Sequence, residues 1–137
     1  MITLKTLPQA TAQEVFDQVA EHLLTQNKQA VVNKKALVKN TACRYRVLDG
    51  LGKTVLKCAG GCLIGNTEYN PEFEGYSWPH LVAEYNLPET HNNLINSLQR
   101  VHDRFAPFDW PFALKEVAKV NELSAAIIDK TLERRNA

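Results

Sequence analysis

The N-terminal part of the chain carries apolar residues at helical spacing. Between Thr11 and Asn27 the recurring apolar positions are Val15, Phe16, Val19, Leu23 and Leu24. Thr11 is followed three residues later by Glu14, which is the pattern of a capping box, where each side chain binds the other residue's backbone N–H. The spacing therefore predicts an amphipathic helix over residues 11–27.

The next two segments have different patterns. Residues 29–42, QAVVNKKALVKNTA, mix short apolar pairs with lysines and have no sustained period, so we expect a loop or a poorly paired strand. In CRYRVLDGLGKTVLKC, which follows, Tyr45 and Val47 alternate with arginines before a turn built from Asp49-Gly50 and Gly52. Aspartate and glycine favour the backbone conformations that tight turns need. This pattern predicts a two-stranded β-hairpin.

From His80 onwards the apolar positions have the helical period again. They predict a short helix that ends before Pro88 and a second helix over residues 94–105. Asp109 is expected to cap a third helix and Ser124 a fourth, since both residue types are common at helix N-termini. Together the elements predict an α+β fold: a mainly helical single domain over all 137 residues with one small two-stranded hairpin.

The composition is that of an ordinary folded protein. Hydrophobic residues make up 45% of the chain and charged residues 23%, unlike the composition of disordered chains. The 16 basic residues nearly balance the 15 acidic ones, so there is no overall field to recruit nucleic acid or a membrane. Residues 1–16 contain no apolar run of signal-peptide length, and no later run is long enough to span a membrane. We therefore expect a cytoplasmic protein without a membrane partner.

The stretch KCAGGCLIG contains two of the three cysteines and invites chemical interpretations. Cys58 and Cys62 lie four residues apart, and Cys43 precedes the hairpin. One alternative is a site where these thiols and a histidine bind a metal, although the CxxC pairs typical of zinc sites are missing. Another is an enzyme with a cysteine nucleophile. The favoured interpretation is free thiols without metal or cofactor, at a strand-to-helix junction where Gly60 and Gly61 let another element pack closely.

Two aromatic stretches lead to different predictions. The first alternates aromatic and acidic residues, and aromatic residues dominate the energetics of protein interfaces. It predicts a surface that binds an unidentified protein partner through Tyr69, Phe73, Glu74, Tyr76 and Trp78. The alternative is that these rings fold over the hairpin and complete the core. The second stretch, FAPFDWPF at residues 105–112, is predicted to form core and helix cap.

The last two predicted helices are spaced like a helix-turn-helix motif. A recognition helix presents polar side chains from its first turn, but this chain has Ala125 and Ala126 there. Lys130, Arg134 and Arg135 come later and would reach only phosphates. Nucleic-acid binding through these three residues is therefore an alternative to simple helix packing.

The middle of the chain resembles a group of small proteins from bacteria and their phages. The resemblance rests on CRYR at residues 43–46, KCAGGCLI at 57–64, YNP at 69–71, EG at 74–75 and LQRVHD at 98–103. It implies a shared fold with fixed roles for these positions, and it implies no reaction. Because no complete catalytic motif is present either, we expect a small soluble accessory protein, phage or prophage encoded, that binds a macromolecular partner and is not an enzyme.

Overall fold

A computed structural model describes residues 1–31 and 43–137, and within these ranges the fold is the mainly helical α+β fold that the sequence predicts. The α-helices are α1 Ala12–Gln26, α2 Trp78–Tyr85, α3 Asn92–Arg104, α4 Trp110–Val120 and α5 Ala126–Asn136. The strands β1 Arg46–Leu48 and β2 Thr54–Lys57 pair antiparallel. Single 3₁₀ turns occupy Leu7–Gln9, Gly61–Leu63, Pro71–Phe73 and Pro107–Asp109. None of the helices in the described ranges has the length and apolar character needed to cross a membrane.

Helix α1 begins and ends as predicted. Glu14 N–H donates to the Thr11 hydroxyl over 3.1 Å, and Thr11 N–H donates to the Glu14 carboxylate over 2.9 Å, so the capping box forms. At the other end Asn27 adopts the left-handed conformation, with φ of 52°. The apolar face of α1 is fully buried, and α3, α4 and α5 pack against it. This helix is therefore the centre of the fold.

The hairpin turn is organised by Asp49. Its carboxylate accepts hydrogen bonds from the N–H groups of Leu51 and Lys53, each over 2.9 Å. Gly52 has φ of 79°, a conformation that glycine adopts at little cost. The predicted hairpin is thus confirmed, together with the turn residues that specify it.

Arg46 and its neighbour Tyr45 are both buried, so the alternation of the two residue types before the turn does not correspond to an inner and an outer face here. Arg46 is only 5% exposed. Its guanidinium donates to the carbonyl of Ile64 over 2.6 Å and to the side-chain oxygen of Asn66 over 2.9 Å, and it lies 5.0 Å from the centre of the Tyr69 ring. These contacts join β1 to the segment that follows the glycine pair, whereas the buried Nε of Arg46 has no hydrogen-bond partner among the described residues.

The glycine pair lies where three elements meet. A Cβ atom on Gly61 would overlap the carbonyl oxygen of Tyr45, and one on Gly60 would lie 2.8 Å from the ring of Trp78. Close packing against the glycines is thus confirmed. The helix expected after the strand is a single 3₁₀ turn, Gly61–Leu63, because the chain turns away at Ile64, which is extended.

The predicted loop or poorly paired strand over residues 29–42 lies mostly outside the described residues. At its described start, Val31 forms an isolated antiparallel bridge with Cys43. Arg44 N–H donates to the carbonyl of Ala30 over 2.8 Å. These contacts bring the two described ends of the segment together beside the hairpin.

Candidate functional site

Cys58 and Cys62 are packing groups of the glycine turn. The Cys58 sulfur accepts a hydrogen bond from Gly61 N–H over 3.4 Å, and the Cys62 thiol donates to the carbonyl of Ala59 over 3.2 Å. Burial raises the pKa of both thiols, that of Cys62 to about 12. Because the thiolate is the reactive form of cysteine, this arrangement does not suit a nucleophile at neutral pH.

Cys43 lies beside α3. Its sulfur, a ring nitrogen of His102 and a carboxylate oxygen of Asp103 lie within 4.8 Å of one another. In residues 1–31 and 43–137 this is the one cluster with enough close donor atoms to suggest a metal ion. The metal hypothesis expected Cys43 to meet Cys58 and Cys62, but the cluster contains neither of them. The cluster therefore has to be judged by its own hydrogen bonds.

The hydrogen bonds of His102 are incompatible with a metal ligand. Ala30 N–H donates to Nε2 over 2.9 Å, so the ring proton lies on Nδ1, which donates to the Asp103 carboxylate over 2.8 Å. A metal on Nδ1 would force the proton onto Nε2, where it would face the Ala30 N–H. A metal on Nε2 would displace that N–H, which is buried. These residues do not fit a metal ion.

The same cluster does not suit nucleophilic catalysis either. Burial, and then the carboxylate of Asp103, raise the pKa of the Cys43 thiol to about 12. Both nitrogens of His102 are occupied, so the ring has no free position to accept the thiol proton. The cluster instead joins the described residues on either side of 32–42: His102 accepts a hydrogen bond from Ala30 N–H, and the Cys43 sulfur lies within 4.8 Å of the Asp103 carboxylate.

The aromatic loop, residues 69–78, is turned inward over most of its length. Phe73 and Trp78 are buried. Glu74 accepts hydrogen bonds from the Tyr69 hydroxyl over 2.6 Å and from Tyr45 N–H over 2.8 Å. Its carboxylate thus completes the bonding of the backbone beside β1. In this conformation the buried rings and Glu74 are not free to contact a partner.

Tyr76 is the one exposed residue among the five predicted to bind a partner. Its side chain is 37% exposed, and its carbonyl accepts a hydrogen bond from the Tyr45 hydroxyl over 2.7 Å. The burial of Phe73 and Trp78 favours core completion, which is the alternative interpretation of this loop.

The C-terminal basic residues lie on α5, which packs along α1. Ser124, just before α5, exchanges hydrogen bonds of 2.8 and 3.0 Å with the side chain of Gln13 near the start of α1. Arg135, near the end of α5, donates to the carbonyl of Leu24 near the end of α1 over 3.0 Å, so the two helices run in the same direction. Arg134 lies 3.7 Å from a carboxylate oxygen of Glu21, whereas Lys130 is exposed. Of the three residues proposed to contact phosphate, Arg134 and Arg135 therefore contact α1 instead.

The segment of residues 105–112 differs from its prediction as core. Trp110 is buried and its Nε1–H donates to the carbonyl of Phe105 over 3.0 Å, as expected for a core residue. Phe108 and Phe112, however, are 92% and 72% exposed. They are four residues apart in a continuous run of helical backbone, so they lie on the same side. The core prediction is correct for the tryptophan and wrong for these two phenylalanines.

A groove of about 260 Å³ lies beside these rings, between α3 and α4. Its apolar lining consists of Val101, Phe105, Phe112, Ala113 and Val117. Arg100 and Glu116 lie at its edges and are exposed. We call the groove together with Phe105, Phe108 and Phe112 the phenylalanine face. Contiguous exposed apolar surface of this kind marks interaction sites.

A larger cleft of about 660 Å³ lies between α1 and β2. His22 Nε2–H donates to the carbonyl of Lys57 over 2.9 Å, and Gln26 bonds both the N–H and the carbonyl of Lys57. Burial lowers the pKa values of His22 and Lys57. His22 and Gln26 of α1 thus bind the backbone of the hairpin inside this cleft.

Comparisons of the chain with protein-family models, with characterised proteins and with solved structures found no match.

Proposed function

We propose that the protein acts by binding another protein chain through the phenylalanine face, and not by catalysis. The observation that carries the proposal is the exposure of Phe108 and Phe112 beside an apolar groove. Burying a phenylalanine side chain contributes roughly 1.5–3 kcal/mol relative to leaving it in water. A partner that covers this face therefore gains free energy from two rings at once.

The charges beside the face favour a protein over a nucleic acid. Arg100 and Glu116 lie at the edges of the groove, one of each sign. A surface that binds nucleic acid carries clustered positive charge instead. A central apolar area with a mixed polar edge is the usual arrangement of a protein interface.

The protonated thiols of the three cysteines support the proposal that the protein does not act by catalysis. The three thiols have raised pKa values and are protonated at neutral pH. The histidine nearest to Cys43 uses both ring nitrogens in hydrogen bonds. Within the described residues, these groups are arranged for packing and for holding backbone in place.

Site-specific photo-crosslinking in cells that make the protein tests the proposal. A photoreactive phenylalanine analogue replaces Phe108, and in a matched control it replaces Leu51, which is 96% exposed in the hairpin turn. We expect a discrete protein adduct from position 108, lost when F112S is added, and none from position 51. Equal adducts from both positions, or none from position 108, would contradict the proposal.

We propose in addition that this binding protein is an accessory protein of phage or prophage origin that works in the cytoplasm. The support is the resemblance carried by residues 43–103. The neighbourhood of the gene provides the test: phage genes on both sides are expected, and a setting of housekeeping genes would contradict the origin.

A further inference from the structure

We infer that the partner of the phenylalanine face is a second copy of this chain. The inference rests on the proposed function and adds the identity of the occupant. The face combines the exposed rings of Phe108 and Phe112 with an apolar groove that Phe112 lines. A twofold axis places this apolar surface of one copy against the same surface of a second copy, as in other symmetric dimers.

The edges of the groove carry self-complementary charge. Arg100 stands on α3 and Glu116 on α4, on opposite sides of the groove. Neither forms an ion pair with any residue of the described ranges. A twofold axis along the groove places α3 of each copy over α4 of the other. Arg100 of each copy then faces Glu116 of the other copy, and the attraction occurs twice.

The connection between the two helices puts these charges at matching heights. Residues 105–109 join α3 to α4, and helices joined by so short a segment pack antiparallel. Arg100 lies five residues before the connection and Glu116 seven residues after it, which is about one and a half and two turns of helix. The axis therefore aligns each arginine with a glutamate and each set of phenylalanines with its counterpart. The net charge of +1 adds little repulsion between copies.

A partner of a different sequence is the competing occupant, and charge reversal distinguishes the two. R100E makes both edges of a copy acidic, and E116R makes both edges basic. In a homodimer of either variant, like charges face each other at both contacts and repel. In a mixture of the two variants, both contacts of the mixed dimer are attractive again. The double variant R100E/E116R also restores them. A protein partner of another sequence has no reason to accept the double variant.

Sedimentation velocity of the purified full chain over a concentration series is the measurement. We expect the wild-type protein to dimerise, and F108S to abolish the dimer. R100E and E116R should each raise the dimer dissociation constant about tenfold or more. An equimolar mixture and the double variant should return to near the wild-type value. E133R, a reversal on α5 away from the face, is the matched control and should leave the dimer unchanged.

The outcomes separate this inference from the proposed function. A wild-type monomer whose position 108 still crosslinks to a different protein overturns the inference and leaves the function standing. A monomer without any adduct from position 108 overturns both. A dimer that is insensitive to F108S, or that neither the mixture nor the double variant restores, overturns the inference because the copies then meet elsewhere. Urea unfolding of each variant verifies that it is folded.

Discussion

The aromatic loop and residues 105–112, which carry the phenylalanine face, have similar compositions but differ in the burial of their aromatic rings. Both combine aromatic rings with proline and acidic residues. The loop buries Phe73 and Trp78, whereas the face leaves Phe108 and Phe112 in solvent. The sequence alone favours a partner surface in the loop, with core completion as the alternative, and it predicts core for residues 105–112. Aromatic content alone therefore does not show which rings complete a core and which remain for a partner.

Small residues and backbone groups elsewhere in the chain explain why the loop is buried. Gly60 leaves space for the ring of Trp78, which a side chain at that position would fill. Glu74, which suggests a charged surface, binds the N–H groups of Tyr45 and Arg46 and the hydroxyl of Tyr69. A carboxylate that satisfies backbone donors is part of the fold, although its sequence context is that of a solvated loop.

Helix geometry explains why the face remains outside. Trp110 is buried against the core and stacks on the ring of His102, 5.6 Å between centroids. Phe108 and Phe112 are each two positions away from Trp110, and residues two apart point to different sides of a helix. The tryptophan therefore occupies the inward position, and the two phenylalanines are directed outward.

The largest expected difference between the regions is in stability. Trp78→Ala should lower the free energy of unfolding by about 3–5 kcal/mol, because it empties a buried site. Phe108→Ala should change it by less than about 0.5 kcal/mol, because its ring contacts little. Urea unfolding of both variants provides the comparison. Equal losses would mean that the two regions do not differ in burial.

The glycine pair provides the next largest effect. Gly61→Ala should cost about 1–3 kcal/mol or more, since the new methyl group meets the backbone of Tyr45. Gly50→Ala is the matched control: nothing lies within 4 Å of its added Cβ. It should be nearly neutral. An unchanged free energy of unfolding in Gly61→Ala would show that the fold does not need the close contact between Gly61 and the backbone of Tyr45.

The buried thiol of Cys62, in the glycine turn, predicts a smaller, pH-dependent effect. Burial raises the folded-state pKa of Cys62 to about 12, above the unfolded value of about 8.5. Its contribution to stability is therefore complete below about pH 8.5 and is lost as pH rises towards 12. Urea unfolding from pH 8 to pH 11 should show the decline, and Cys62→Ala should make it shallower. A slope that is unchanged in the variant would show that this thiol is not the cause.

The smallest effect on stability is expected at the face itself. F108S/F112S should leave the unfolding free energy within about 1 kcal/mol of the wild-type value, because both rings are exposed. It should nevertheless remove most of the fluorescence of a bound hydrophobic dye such as bis-ANS, measured at low protein concentration. L51S, which removes an exposed apolar residue elsewhere, is the control. Undiminished dye binding would place the main apolar surface outside this face.

Much of the fold was predictable because its signals are local. The capping box at Thr11 and Glu14 and the turn at Asp49 each lie within a few residues. The candidate sites were not predictable in the same way. Cys43 lies close to His102 and Asp103 although about sixty residues separate them in the chain, and no spacing in the sequence predicts this contact. The exposure of Phe108 likewise depends on Trp110 occupying the buried side of the helix, which the sequence pattern does not show.

Hydroxyl-radical footprinting with residue-level mass spectrometry tests the central claim most directly, because one experiment follows both regions. In dilute wild-type protein, Phe108 and Phe112 should be modified rapidly, and Phe73 and Trp78 slowly. As protein concentration rises and the copies associate, modification of Phe108 and Phe112 should fall while that of Leu51 stays constant. Rapid modification of Trp78 in dilute protein, or protection of the aromatic loop in place of the phenylalanine face, would contradict the account.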